Sequence, residues 1–360
     1  VRRWLIARST FCGIAERSIA SIPSLPRSMG VKAARQSSSL PQFMNPYARV
    51  APRFLCDKQE INRLMYLTGI ADEASQDIEG QINATRELGW NAIESRFVNG
   101  KNLHDLDEES FESVCRAIDG SGVHINAFGS AIGNWGKDVR DDFSITQGEI
   151  DRAIPRMKRL GAKFIRIMSY KVLDQEDQLV EERVRRLRLI VESFLSENLI
   201  PVHENCMNYG GMSWRHTLDL VEAVPGMKLV FDTANPVFNR DRSKEGEPWQ
   251  CPLEFYHKVR AHIAYVHVKD CLTPCAENGG KETYVYPGDG HGRVPEILRE
   301  LKDSGYDGGI SIEPHLAAVF HDADSQNQTS EDPMDIYLRY GRKLMDLLKA
   351  MDYDFVPYEA

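Results

Sequence analysis

Four short segments in the second half of the chain each end in a side chain able to bind a hard metal ion. They are Val202-His203-Glu204-Asn205, Phe231-Asp232-Thr233, Val266-His267-Val268-Lys269-Asp270 and Ile312-Glu313-Pro314-His315. Glu204, Asp232, His267 and Glu313 supply three carboxylates and one imidazole with no thiolate. That mixed O/N set suits Mn²⁺, Mg²⁺, Co²⁺ or Zn²⁺. Each residue alone is ordinary, because a carboxylate at a strand end commonly caps the next helix. Four at one level of a fold are different. Buried charges without partners are costly, and one divalent cation is their natural compensation.

The elements that must bring them together alternate regularly. Strand patterns lie at 64–70, 91–98, 124–132, 162–170, 199–205, 228–235, 263–270 and 309–315. Amphipathic helical patterns lie at 75–88, 107–120, 146–160, 175–196, 213–224, 252–261, 294–304 and 333–350. Strands alternating with helices imply parallel pairing with right-handed crossovers. Eight units predict an α/β fold, a closed (β/α)₈ TIM barrel over residues 63–352, whose site lies at the C-terminal ends of the strands. A doubly wound open sheet is the alternative. It ordinarily carries a Gly-rich phosphate turn after its first strand, where this chain has Ala71-Asp72-Glu73-Ala74-Ser75.

Charge excludes some partners. Residues 1–55 hold nine Lys/Arg against one acid, Glu16, whereas residues 56–360 hold 35 basic and 52 acidic residues. A body with that acidic excess is a poor match for nucleic-acid phosphates. No apolar run approaches the roughly 18 residues of a membrane span, so no membrane partner is expected. Seven scattered cysteines suggest free thiols in a reducing compartment, with cytoplasmic localisation. Cys271 and Cys275 alone are only half of a zinc site. Residues 1–60 are read as an extension outside the fold, with little order. Their Arg- and Ser-rich, acid-poor composition suits a transit peptide; alternatively they precede a true start at Met65.

Three stretches resemble the sugar phosphate isomerase/epimerase family of the xylose isomerase-like TIM barrels. One is Ala71-Asp72-Glu73-Ala74-Ser75 with its helix and Ala92-Ile93-Glu94-Ser95-Arg96. The second is Phe231-Asp232-Thr233 with Val266-His267-Val268-Lys269-Asp270. The third is Tyr286-Pro287-Gly288-Asp289-Gly290 with Gly305-Tyr306-Asp307-Gly308 and Ile312-Glu313-Pro314. The resemblance covers about residues 65–350. It implies that Glu204, Asp232, His267 and Glu313 ligate one divalent ion and that Glu204 and Glu313 also act as acid and base. The chemistry agrees. Removing a proton beside a carbonyl makes an enediolate, whose charge a chelating divalent ion stabilises, and two carboxylates flanking the carbon can take and return the proton. The expected activity is isomerisation or epimerisation of a ketose, sugar phosphate or keto-polyol, in a homodimer or homotetramer. The same site could dehydrate an inosose-like keto-polyol if a β-hydroxyl leaves. An apurinic endonuclease is the remaining alternative, but that group carries further His ligands where this chain has Arg96, Ser130 and Asn235.

The chain also departs from the ketose 3-epimerases. They place a His where Asn235 stands and an Arg where Thr273 stands, and both positions touch sugar in those enzymes. Candidate substrate contacts are Arg96, Trp135, Arg166, Asn235, Lys269 and His315. Arg166 either meets substrate oxygens or phosphate or pairs with Glu94 inside the barrel. His203 has the opposite parity to Glu204 and is expected to pack under a helix. The loops at 133–137 and 271–292 are long enough to act as lids. The glycines at 288–292 form either a tight turn or a phosphate cradle.

Overall fold

The computed structural model describes residues 65–317 and 330–359; the 1–60 extension lies outside them. Eight parallel strands alternate with eight main helices. They run β1 Met65–Gly69, α1 Ile78–Glu87, β2 Ala92–Ser95, α2 Glu108–Ile118, β3 His124–Phe128, α3 Phe143–Leu160, β4 Phe164–Ile167 and α4 Val180–Leu195. There follow β5 Ile200–Glu204, α5 Trp214–Ala223, β6 Lys228–Asp232, α6 Pro252–Val259, β7 Ile263–Val268, α7 Val294–Asp303, β8 Gly309–Ile312 and α8 Pro333–Ala350, then a last strand, β9 Phe355–Val356. The fold is the expected TIM barrel. Side chains in the preceding turns open several helices: Asp77, Asp107, Asp142, Ser213 and Asp332 each accept a backbone N–H of the first turn, satisfying donors that otherwise have no partner.

The sheet runs β9-β1-β8-β7-β6-β5-β4-β3-β2. At the seam, β1 meets β2 through a single parallel bridge, Ile70 to Glu94. At the N-terminal end of the same seam β9 pairs with β1, Met65 to Phe355 and Tyr66 to Val356. The tail is fastened across the seam by Asn91, whose Nδ2 donates to the Tyr358 carbonyl at 3.0 Å and whose Oδ1 accepts from the Tyr358 N–H at 2.8 Å. The Tyr358 ring packs 4.8 Å from that of Tyr66. Tyr358→Ala should therefore cost about 3 kcal/mol and lower Tm by roughly 5–10 °C. The Tyr358 hydroxyl has no hydrogen-bond partner, so Tyr358→Phe should melt with the parent. A thermal melt of both variants decides it; equal melting of Tyr358→Ala and the parent would show that the tail does not hold the seam.

Strand parity sets the layering inside the cylinder. Tyr66, Ala92, Ala127, Val202, Val230 and Tyr265 form an apolar plug closed from below by Tyr358. Two residues further along several of these strands the same inward face carries Thr68, Glu94, Glu204, Asp232 and His267, all buried. Successive inward positions are two residues apart, so an apolar layer beneath fixes a polar layer above. The outer faces of the strands and the inner faces of the helices form the larger aliphatic core.

Candidate metal centre and active site

Glu204, Asp232, His267 and Glu313 each offer a ligand atom, and the four atoms lie within 4.8 Å of one another. All four residues are buried. The set read from the sequence is thus brought together. His267 Nδ1 lies 3.5 Å from Glu204 Oε1 and 3.8 Å from Glu313 Oε2, too far for formed hydrogen bonds to either.

The local structure aims these atoms. Asp232 Oδ1 accepts the N–H groups of Ala234 and Asn235 at 2.9 and 2.7 Å, within the helical turn Asn235–Phe238 that follows β6. Its other oxygen, Oδ2, has no hydrogen bond and faces the Lys269 ammonium at 3.2 Å. Asn205 locks the strand end from beside it, giving Nδ2 to the Asp232 carbonyl and taking the Asp232 N–H. His267 is oriented by Glu94, whose two oxygens lie 3.1 and 2.9 Å from Nε2. That contact turns Nδ1 toward the other three ligands.

Sequence reasoning did not find this role for Glu94, which it offered instead as a partner for Arg166. Arg166 pairs with Glu204: its Nη1 lies 3.2 Å from Glu204 Oε2, and its Nε and Nη2 donate to the Ser130 and Gly129 carbonyls. Asn235 Nδ2 donates to Glu204 Oε1 at 3.2 Å. On the opposite side Arg96 bridges Glu313 Oε1 at 3.0 Å, Asp72 Oδ2 at 3.0 Å and Glu73 Oε1 at 3.3 Å. Lys269 Nζ lies 2.9 Å from Glu313 Oε2. His315 adopts a left-handed backbone (φ 53°), unusual for a non-glycine residue. Glu73 holds it there, accepting its N–H at 2.7 Å and facing its Nδ1 at 2.9 Å. Trp135 lines the cavity above, with Arg96, Arg166, Asn235, Lys269 and His315. Asp72 and Glu73 were also missed as site residues. The sequence read them only as part of a motif, and the distance along the chain from Glu73 to His315 hides their contact.

The donor set fits a divalent cation on three observations. Glu204 Oε2, Asp232 Oδ2 and His267 Nδ1 are buried without hydrogen bonds; Arg166 and Lys269 face the two oxygens at 3.2 Å, and His267 Nδ1 is left for something else to satisfy. Six buried carboxylates (Asp72, Glu73, Glu94, Glu204, Asp232 and Glu313) outnumber the cations they face, Arg96, Arg166, Lys269 and the His267 imidazolium. A divalent ion offsets part of that negative excess. Finally, a ligating His whose far nitrogen is held by a carboxylate is the ordinary outer shell of such sites.

Electrostatics in the ion-free chain follow from these contacts. Burial pushes the Glu204 carboxyl up, but Arg166 and His267 outweigh it and hold it at about 2. Burial likewise opposes ionisation of Glu313, and Lys269, His315, His267 and Arg96 together hold it well below the usual range. Asp232 is pushed up to about 6 by burial, with Glu313 and Glu204 adding to the rise and Lys269 opposing it. Burial disfavours the His267 imidazolium, but Glu94 and Glu204 raise it to about 10. His203, of opposite parity to Glu204, lies against Gly210 ahead of α5 and sits 3.0 Å from Ser169 Oγ; burial lowers it to about 4. The glycine run is a turn and not a phosphate cradle. Asp270 takes the N–H groups of Gly288, Gly290 and Gly292 at 2.8–3.0 Å, and Cβ atoms at Gly290 and Gly292 would meet its carboxylate at 2.2 and 2.8 Å. Among the described residues, neither Cys271 nor Cys275 joins a metal-competent group.

A model of the xylose isomerase-like TIM barrel family matches residues 82–336. The chain belongs to this family. Solved structures with the same barrel include a xylose isomerase-like TIM barrel protein from Mycobacterium smegmatis in complex with magnesium (14% identity, 80% of this chain and 97% of that one, TM-score 0.58). They also include an L-ribulose 3-epimerase (15% identity, 80% and 96%, TM-score 0.58) and a probable 3-DHS dehydratase from Bacillus anthracis (18% identity, 78% and 99%, TM-score 0.56). No curated protein matches the chain significantly. No helix among the described residues is long and apolar enough to cross a membrane. Family membership gives this chain the barrel, while the site must be argued from its own residues.

Proposed function

We propose that this protein is a divalent-metal-dependent enzyme that moves a proton beside the carbonyl of a ketose or keto-polyol, an isomerase or epimerase working through an enediolate. The observation that carries this reading is the convergence of Glu204, Asp232, His267 and Glu313 within 4.8 Å at the mouth of the barrel. These four residues would hold the ion, which supplies Lewis-acid stabilisation of the negative charge that develops on the substrate oxygens.

The acid–base work falls to Glu204 and Glu313. Both are ionised at neutral pH, so either can accept the substrate proton. In epimerisation one glutamate takes the proton, the other gains a proton from solvent and delivers it to the opposite face, and the first then releases its proton to solvent. In isomerisation the accepting glutamate returns it to the neighbouring carbon. Arg96 and Arg166 hold the two carboxylates in place by ion pairs and present their remaining N–H groups to substrate hydroxyls. Asn235, Trp135 and His315 shape the walls.

Dehydration is the second reading, and Lys269 favours it. Its ammonium, 2.9 Å from Glu313, can donate a hydrogen bond to a departing β-hydroxyl. A glutamate takes the adjacent C–H proton and passes it to that hydroxyl as the C–O bond breaks, and water leaves.

Elemental analysis of the purified full chain and incubation with ketoses and keto-polyols in deuterated water test both readings. Deuterium at the carbon beside the carbonyl without loss of water supports isomerisation or epimerisation, and loss of water supports the dehydratase. No bound divalent ion and no exchange with any substrate would remove the basis of the proposal.

Glu94 acts as a positioning residue for His267. Glu94→Gln is expected to weaken divalent-ion binding about 10–100-fold, because an amide can meet Nε2 with its NH₂ and so admit the wrong tautomer. Titration calorimetry with Mn²⁺ on parent and variant checks this. Unchanged affinity would make the Glu94 contact merely structural.

A further inference from the structure

The space above the four ligands is small, about 90 Å³. Trp135, Cys206 and Met207 line both this space and an adjoining groove of about 570 Å³. Small-molecule sites ordinarily occupy roughly 300–1,000 Å³, so the mouth alone is short of that range and the groove falls within it. A ligand whose one end reaches the ligand cluster has its remaining volume in the groove.

The wall of that groove differs in charge from the rest of the chain. Residues 56–360 carry 52 acidic against 35 basic residues, yet the groove gathers Lys171, Arg240 and Arg242. The Arg240 guanidinium carbon lies over the Trp249 ring, 3.4 Å from its centroid. The two residues are bridge partners across the hairpin that follows Asn239. Stacking fixes the guanidinium plane, and its N–H edge stays available for a planar anion; Nη1 makes one long contact to the Glu247 carbonyl at 3.3 Å. Arg242 is fixed at its base by its own N–H, donated to the Met212 carbonyl at 3.0 Å.

Among the described residues neither arginine has a carboxylate ion pair, whereas Lys171 is held by Asp138 at 2.9 Å. Next to Lys171, Arg183 is wholly buried. It is bonded to the carbonyls of Ser169, Lys171 and Gln178 and among the described residues to no carboxylate. Burial lowers it only to about 10, so it stays charged. Asp138 offsets part of that charge, and the remainder adds to that of the groove, whose charged lining residues are all basic and so attract an incoming anion.

We infer that the groove is a subsite for an oxyanion, phosphate or carboxylate, carried on the same substrate whose keto-polyol end reaches Glu204, Asp232, His267 and Glu313. Arg240 and Arg242 bind the anion, and Trp135 and Trp249 line the path between the two ends. The substrate class is therefore an acidic keto-sugar or a sugar phosphate and not a free ketose. This rests on the proposed function above for the position of the reacting end.

The experiment uses the full chain and three fragments, glycerol 3-phosphate, glycerate and glycerol, titrated calorimetrically into the parent and into Arg240→Gln/Arg242→Gln. At least one anion is expected to bind the parent ten times or more tighter than glycerol. The double variant is expected to lose that advantage while retaining the parent's divalent-ion content by elemental analysis. Preference for glycerol 3-phosphate assigns a phosphate, and preference for glycerate assigns a carboxylate. Anion binding no tighter than glycerol overturns the inference. So does a double variant that binds the anion as the parent does, because the anion is then held elsewhere, at the ligand cluster for instance. A parent without a divalent ion would instead count against the proposed function, and the comparison of parent with variant would still report on the groove.

Discussion

Glu313→Gln is expected to cut turnover by at least about 10³-fold and to leave a folded barrel. Glutamine keeps the shape and one ligating oxygen but cannot carry a proton, so both the acid and the base steps at that carboxyl are lost. The fold survives because the cations that Glu313 pairs with have other anions. Arg96 keeps Asp72 and Glu73, and Lys269 keeps Asp232. Glu204→Gln should lose as much activity and more stability, since Arg166 would lose its one close carboxylate and an uncompensated buried charge is costly. The double variant should be no slower than the worse single one, because groups that act as a unit do not contribute additively. Steady-state rates and thermal melts of the three variants test this. A single variant retaining turnover within about tenfold of the parent would show that its carboxylate neither removes nor returns the proton, and Glu313→Gln melting below Glu204→Gln would contradict the charge argument.

The barrel and the convergence of Glu204, Asp232, His267 and Glu313 were legible because both are governed by local rules. Strand parity is a property of neighbouring residues, so the apolar Val202, Val230 and Tyr265 already place Glu204, Asp232 and His267 on the inner face. The final helix, bounded by Asp332-Pro333 and the polar tail, begins and ends where its periodicity does. The ends of elements were less legible. Apolar residues continue past Phe128 into Ala131 and Ile132 and read as strand, but β3 stops at Phe128 and the chain turns to bring Ser130 against Arg166. The helix expected from 146 begins at Phe143, because Asp142 caps it by taking the Ser144 N–H. What the sequence does not disclose is which charged side chain meets which. Glu94 and Arg96 share an inward face, yet Glu94 turns to His267, 173 residues on, and Arg96 to Glu313, 217 residues on. Six carboxylates and three permanent cations on one inner wall allow several pairings, and only the stagger of the closed sheet chooses among them. The tail strand is hidden for a similar reason: two residues beside β1 carry no periodic signal.

Removing divalent ions with a chelator is expected to abolish turnover and to lower Tm by roughly 5–10 °C relative to protein in ion at about a hundred times its Kd, a stabilisation of about 2.7 kcal/mol. Restoring Mn²⁺ or Mg²⁺ should recover both. The argument is electrostatic. Without an ion, Glu204, Asp232 and Glu313 stand together in a buried space, with a hydrogen bond missing at Glu204 Oε2, Asp232 Oδ2 and His267 Nδ1, and their mutual repulsion opposes folding. The competing arrangement is also visible. Lys269 lies against both Asp232 and Glu313 and could serve as a permanent internal counter-ion. Differential scanning fluorimetry across a series of Mn²⁺ concentrations separates the two. If Lys269 neutralises the cluster by itself, Tm will not depend on the metal, chelated protein will keep its activity, and Lys269→Met will be the variant that collapses. If an ion is the resident cation, Tm will rise with the logarithm of its concentration. Lys269→Met will then still bind the ion, because it removes a competitor for two of the ligand oxygens and leaves all four ligands in place.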